Sequence, residues 1–162
     1  MKIAVVGAGV FGCVTAIDLF RDISKDVTLF DCDSEIMSRA SKINQYRLHR
    51  GYHYPRSIET ALQAKQGFES FKQRFGECCT DYGIDHWYGL ANDSITSDQY
   101  IDFMDRVGLK YEYVDPSVSI FNPNAVSAAF KVNEQTLIFD SFRDRIWQEL
   151  FHTDVKVKLS RR

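Results

Sequence analysis

The stretch KIAVVGAGVFGCVTAIDL, from Lys2 to Leu19, sets three glycines in G-x-G-x-x-G spacing directly after a short apolar run. Few local patterns limit a fold as strongly. The run KIAVV predicts a strand covered on both faces of a parallel sheet. From Val10 the apolar residues Val14, Ile17, Leu19 and Phe20 recur at helical spacing, and RDISKD then supplies a polar stop. VTLFD predicts a second strand ending on Asp31. Strand, glycine turn, helix and strand within about 30 residues have the size of a βαβ unit. Right-handed crossover makes the two strands parallel neighbours. The expected class is α/β, built on a Rossmann-like βαβ core.

The spacing carries chemistry as well as geometry. Gly7 permits a tight turn, Gly9 lets backbone approach a pyrophosphate, and Gly12 lets the helix pack closely on the strand. The helix N-terminus at Val10 and Phe11 offers free N–H groups and a positive dipole end to phosphates. Asp31, about 20 residues on and followed by Cys32, is placed to accept hydrogen bonds from adenosine ribose hydroxyls. Its carboxylate disfavours a 2′-phosphate. FAD and NAD both use this fingerprint, so the loop alone does not choose between them.

Further along, SEIMSRAS predicts one or two helical turns, and KINQYRLHRGYHYPRS a loop with a short strand over Arg47 to His49. A helix is expected from Ile58 to Phe75, with Ala61, Leu62, Phe68, Phe71 and Phe75 on one side and Gly76 as C-cap. IDHWYGLA, KYEYVD and AAFKVNEQTLIFD read as strands, and SDQYIDFMDRVG as a helix capped by Ser97. DSFRDRIWQELF reads as a helix capped by Asp140 or Ser141 with Phe142, Ile146 and Leu150 inward, and VKVKL as a terminal strand. The expected division is a nucleotide-binding part over 1–77, an inserted α+β lobe over 78–139, and a return to the first part over 140–162.

Composition narrows the partners. Twenty Lys and Arg against 22 Asp and Glu give a formal net charge of -2, which leaves no electrostatic footprint for nucleic acid. The basic group Lys156, Lys158, Arg161 and Arg162 reads as a solvated strand edge. Four cysteines without C-x-x-C spacing or a histidine ladder exclude a zinc site of ordinary pattern, and no metal is expected. The Cys78–Cys79 pair reads as reduced thiols of a cytoplasmic protein, with a redox device as the alternative. No run approaches membrane-spanning length, and the N-terminus lacks the pattern of a signal peptide.

The segment ASKINQYRLHRGYHYPRS resembles the D-amino-acid oxidase (DAO) family of FAD-dependent oxidoreductases, nearest to members related to L-2-hydroxyglutarate dehydrogenase. That family has GAGxxG, an acidic residue ending the second strand, a Ser/Thr-x-x-Asn segment and a His-x-Gly-x-x-Tyr stretch. Here these are Gly7 to Gly12, Asp31, Ser41, Asn44, His49, Gly51 and Tyr54. Asp31 stands where most of the family has Glu. VNEQTLIFDSFRDRIWQEL is similar to the family's return from the substrate lobe.

The resemblance implies FAD as cofactor. Ser41 and Asn44 would lie along the pyrophosphate and ribityl chain, with the backbone of Gln45, Tyr46, Arg47 and Leu48 near the flavin ring. The alternative for Ser41 and Asn44 is a polar loop satisfying its own backbone. His49, His53 and Tyr54 would approach the flavin or the substrate. Arg47, Arg50 and Arg56 are candidates to hold a substrate carboxylate. His86 to Gly89 would sit over the flavin or form a plain core strand. The reaction implied is hydride transfer from a C–H bearing an amine or hydroxyl, in a small amino or 2-hydroxy acid, to flavin.

The family continues beyond a strand such as VKVKL, so the expectation is the N-terminal part of such an enzyme or a naturally short form. Two other readings stay open at this point. One is a NAD-linked protein of the same fold. The other is a non-catalytic remnant or a subunit completed by self-association or another chain, which predicts an exposed apolar sheet edge.

Overall fold

The computed structural model describes residues 1–80, 86–91 and 95–161. In chain order the elements begin with β1 (Lys2–Val6), α1 (Val10–Asp22), β2 (Asp26–Phe30), β3 (Arg47–Leu48) and α2 (Ile58–Phe75). They continue with β4 (His86–Ala91), α3 (Ser97–Val107), β5 (Tyr111–Val114) and β6 (Val126–Val132). β7 (Gln135–Thr136), α4 (Phe139–His152) and β8 (Lys156–Lys158) complete the order. Two compact units result, Met1–Tyr46 with Ile138–Arg162, and Arg47–Leu137.

The first unit is a parallel sheet in the order β1-β2-β8, with Ile3 opposite Val27 and Leu29 opposite Val157. The turn after β1 depends on Gly7, whose φ of 100° lies where side chains are disfavoured. Its N–H donates to the Phe30 carbonyl at 2.8 Å, so pairing with β2 runs into the turn. Gly12 lies so close to that turn that a Cβ there would fall 1.7 Å from the Gly7 carbonyl oxygen. α1 buries Cys13, Ala16 and Ile17, and α4 buries Phe142, Ile146 and Leu150 as the sequence indicates. Burying Ile17, Leu29, Ile146 and Leu150 contributes roughly 1.5–3 kcal/mol each.

The expected two-sided burial of β1 is not observed. Ala4 is exposed and Val6 is 84% exposed, so only the Ile3 and Val5 side of this strand is partly covered. The helical turns expected over residues 34–41 are also absent. That segment is a chain of bends and turns, with Met37 at φ 57° donating its N–H to the Ala8 carbonyl at 2.7 Å. A tertiary contact overrides local helix preference there. α4 starts one residue before the expected caps. Asp140 lies in its first turn and pairs with Arg143 at 3.1 Å, placing a carboxylate near the positive helix end.

The second unit holds an antiparallel sheet in the order β4-β6-β5 and a small β3-β7 ladder. Its core joins Tyr52, Ala61, Leu90, Tyr100, Phe103, Met104, Ala128 and Phe130. α2 spans the range read from sequence and is capped by Ser57, whose hydroxyl accepts from the Thr60 N–H at 3.2 Å. α3 is capped by Thr96 rather than Ser97, through a reciprocal pair with Gln99, and ends on left-handed Gly108. The unit boundaries differ from the expected 77/78 and 139/140 divisions. α2 stays with the second unit because its Ala61 belongs to that core and its residues contact α3. The first two residues read into the IDHWYGLA strand lie outside the described residues.

Candidate functional site

In the first unit a cleft of about 510 Å³ opens at the ends of β1 and β2. Gly7, Gly9, Asp31, Cys32 and Ser41 line it, together with Ala8, Asp33, Met37, Arg39 and Arg161. The Asp31 carboxylate accepts from the Asp33 N–H at 2.8 Å and from the Ala8 N–H. The Asp33 N–H, with the Ala8 N–H, holds its carboxyl below the usual range. Each Asp31 oxygen keeps a lone pair for a ribose hydroxyl.

Gly9 is the N-cap of α1, with no side-chain cap and no acidic residue in the first turn. The Val10 N–H donates to Ser41 Oγ at 3.2 Å, which brings that hydroxyl to the positive end of the helix. A Cβ on Gly9 would meet only Ser41 Oγ, at 3.4 Å, so the glycine keeps cleft space open rather than relieving a clash. The positive helix end, bare Gly9 and the Asp31 carboxylate together fit the ADP end of a dinucleotide such as FAD.

Other residues read from sequence fall elsewhere. Phe11 points away at 88% exposure, and Gly12 acts through packing. The Asn44 amide donates to the Ala40 and Ser41 carbonyls at 3.2 and 3.0 Å, while its oxygen accepts from the Tyr46 N–H. Those bonds match the loop-satisfying alternative. Gln45 is exposed and does not line the cleft. Arg39 was not singled out from sequence, yet it forks onto Asp33 at 2.6 and 2.7 Å and approaches Cys32 Sγ at 3.3 Å. That ion pair, with the Ser38 hydroxyl, drives the Asp33 carboxyl far below its ordinary value.

In the second unit the residues gather around Glu134, which is only 5% exposed between β6 and β7. Its carboxylate accepts from Arg47 Nη2 at 2.7 Å, the Arg50 N–H at 2.9 Å and the Tyr88 hydroxyl at 3.2 Å. His49 Nδ1 lies 3.8 Å from it, buried and without a hydrogen bond. The His49 and His53 rings are 5.6 Å apart, and His53 meets Tyr54 edge-on at 6.0 Å. His49, His53 and Tyr54, expected to approach the flavin or the substrate, are thus neighbours. Leu48 pairs with Gln135 in the β3-β7 ladder.

Burial holds the His49 imidazole below its ordinary value, helped by Arg47 and His53 and opposed by Glu134. Burial and the Glu134 charge raise the Tyr88 phenol. Of the three arginines considered for a carboxylate, Arg47 is committed to Glu134 and Arg50 to Glu69. Arg56 is exposed and has no ion-pair partner among the described residues. In the aromatic stretch 86–89, Tyr88 joins the Glu134 group, whereas Trp87 packs against Phe121 and under Lys131. Sequence reading missed Glu134 because an acid inside KVNEQTLIF carries no local mark of burial. All four cysteines are thiols, and no described helix is long and apolar enough to cross a membrane.

The profile of the family described as FAD dependent oxidoreductase (DAO) matches residues 2–135. The FAD-dependent monooxygenase FPY4 of Fusarium mangiferae is 36% identical over 76 residues, covering 47% of this chain and 20% of that protein. The FAD-dependent monooxygenase kojA of Aspergillus flavus is 25% identical over 166 residues, covering 99% of this chain and 38% of that protein. Among solved structures, FAD-bound L-α-glycerophosphate oxidase from Mycoplasma pneumoniae superposes with a TM-score of 0.75 at 15% identity. That match covers 98% of this chain and 44% of the oxidase. Glycine oxidase from Geobacillus kaustophilus gives 0.67 at 14% identity, covering 98% and 46%. The chain spans less than half the length of each of these proteins.

Proposed function

Because the chain belongs to the FAD dependent oxidoreductase family, whose cofactor is FAD, we propose that its first unit holds the ADP end of FAD and its second unit supplies substrate-side residues. The observation that carries the first half is the cleft around bare Gly9, with Asp31 and Ser41 Oγ on its walls. α1 N–H groups and the Ser41 hydroxyl would meet the pyrophosphate, and Asp31 the adenosine ribose. Bound flavin would supply the hydride acceptor.

For the second half, the proposed reaction removes hydride from a C–H that bears an amine or hydroxyl, in a small amino or 2-hydroxy acid. The narrower likeness to L-2-hydroxyglutarate dehydrogenase-like members is part of this proposal. His49, neutral near pH 7, would take the proton from the amine or hydroxyl. With Nδ1 buried toward Glu134, the ring nitrogen left for that proton is Nε2. His53 and Tyr54 would border the substrate.

The test of the cofactor half is an FAD titration of the chain and its Gly9→Ala variant. The added methyl meets only Ser41 Oγ at 3.4 Å, so the variant folds while its cleft narrows. A tenfold or larger loss of FAD affinity, on the order of 1.4 kcal/mol, is expected with an unchanged circular dichroism spectrum. Equal affinity in the two proteins overturns the assignment. A second reading, oxygen insertion, is favoured by the fungal relatives being named monooxygenases. It predicts an oxygen atom from labelled O2 in the product, which the dehydrogenation reading excludes.

A further inference from the structure

The short antiparallel ladder of β3 and β7 places Arg47 opposite Thr136 and Leu48 opposite Gln135. The next step in that register sets position 49 across from position 134. Residues directly opposite in an antiparallel pair project to the same side, so His49 and Glu134 share a face. The observed contact agrees, with His49 Nδ1 3.8 Å from Glu134 Oε1.

Glu134 is held so that it cannot turn from that contact. Its side chain is wholly buried, and each oxygen has a partner. Oε2 accepts from Arg47 Nη2 at 2.7 Å and from the Tyr88 hydroxyl at 3.2 Å. The Arg47 guanidinium in turn lies over the Tyr88 ring, 4.9 Å from its centre. Oε1 accepts from the Arg50 N–H at 2.9 Å. An ionised carboxylate offers about four lone-pair sites. Among the described residues the two at Oε2 are taken, and the one left is on Oε1, the oxygen that faces His49.

The imidazole is open at the matching atom. Nδ1 is buried and has no hydrogen-bond partner among the described residues, although the side chain is 39% exposed through the rest of its ring. A neutral imidazole carries one N–H and one bare nitrogen. With the hydrogen on Nε2, a bare Nδ1 would set its lone pair against a buried carboxylate oxygen. With the hydrogen on Nδ1, a donor meets that oxygen. A ring shift of about 1 Å then turns the contact into a charge-assisted hydrogen bond. Burial, with Arg47 and His53 nearby, disfavours the doubly protonated ring, and Glu134 is the acid that acts on it. Histidine free in water favours Nε2–H, so the opposite form is one that the fold has to impose.

We propose that Glu134 is a positioning residue for His49: it holds the neutral imidazole as the Nδ1–H tautomer and leaves the Nε2 lone pair on the open side of the ring. The tautomer stands on the second unit alone; that Nε2 then receives the substrate proton rests on the flavoenzyme reading above.

The test is NMR of the full chain labelled with nitrogen-15 at histidine, with and without FAD, at about pH 8, above the ordinary histidine range. Couplings from the ring protons tell Nδ1 from Nε2, and His49→Gln assigns the His49 signals by their loss. The unmodified chain is expected to show protonated Nδ1 and bare Nε2 at His49. Combining Glu134→Leu with Arg47→Leu removes both charges together, and His49 should then revert to Nε2–H. In Glu134→Gln, which keeps an acceptor without the charge, the Nδ1–H share should fall. A merely structural carboxylate would leave the tautomer unmoved. His49 as Nε2–H in the unmodified chain overturns the proposal, as does an unchanged Nδ1–H share in either folded variant. A chain that binds FAD with His49 as Nε2–H overturns the positioning role alone. A chain that shows the expected tautomers but binds no FAD supports the positioning role and overturns the flavoenzyme reading.

Discussion

Removing the Glu134 carboxylate gives the sharpest stability prediction for the second unit. Three donors converge on that side chain, which is itself wholly buried. Breaking a fully buried ion pair by deleting one partner costs about 3–5 kcal/mol. The Arg47 side chain is 24% exposed and partly rehydrates, which selects the lower end, about 3 kcal/mol. The stranded Arg50 N–H and Tyr88 hydroxyl add about 1 kcal/mol each. Glu134→Ala is therefore expected to lose about 4–5 kcal/mol, a large share of a domain's stability. Glu134→Gln keeps an acceptor for the Arg50 N–H and should lose about 2–3 kcal/mol. Combining Glu134→Leu with Arg47→Leu removes both charges together, so the double variant should recover roughly 2–3 kcal/mol relative to additivity. The assay is urea unfolding followed by tryptophan fluorescence in a Trp147→Phe background, where Trp87 alone reports on the second unit. A Glu134→Ala cost below about 1 kcal/mol, or strict additivity in the double variant, would refute the reasoning.

Gly12→Ala drives a methyl into the Gly7 carbonyl, so the first unit should unfold at clearly lower urea, read by Trp147 in a Trp87→Phe background. His49 and His86 are both held below the ordinary histidine value, in each case chiefly by burial. The unfolded chain then binds more protons than the folded one just below about pH 6.5, so stability rises with pH through that window. The second unit's urea midpoint should fall between about pH 7.5 and pH 5, and glutamine at both positions should flatten the slope. Burial, with Asp31 nearby, pushes the Cys13 thiol up to about 12, whereas Cys32 is exposed beside Arg39. Iodoacetamide should label Cys32 alone in the folded protein, as peptide mass mapping would show, and all four cysteines in urea.

The parts legible in the sequence are those fixed by local physics. The glycine turn, α1 beginning at Val10, and α2 beginning after Ser57 follow from spacing and capping, whereas Gly76 stays right-handed and leads into a 3-10 turn instead of capping α2. Thr96 and Gln99 form a capping box that the sequence does spell out, one residue before the cap first read there. What was not legible depends on distant partners. Met37 adopts φ 57° because its N–H reaches Ala8, and no rule for residues 34–41 contains that contact. Glu134 meets Arg47 across 87 positions, and the pattern around it resembles any strand end. The low cover of β1 and the membership of α2 are likewise set by which surfaces meet, as periodicity alone cannot specify. Around the cleft of the first unit, Gly9 and Asp31 stood out from the glycine motif and Ser41 from the family resemblance, while Arg39 was found only through its fork onto Asp33.

The most direct test of the central claim is calorimetric titration of the chain with FAD, ADP and FMN. FAD should bind, ADP should compete for the same site, and FMN, which lacks the adenylate (AMP) half of FAD, should not. FMN competing as well as ADP, or FAD and ADP both failing to bind the folded chain, would contradict the assignment of the Gly9–Asp31–Ser41 cleft to the ADP end of the cofactor.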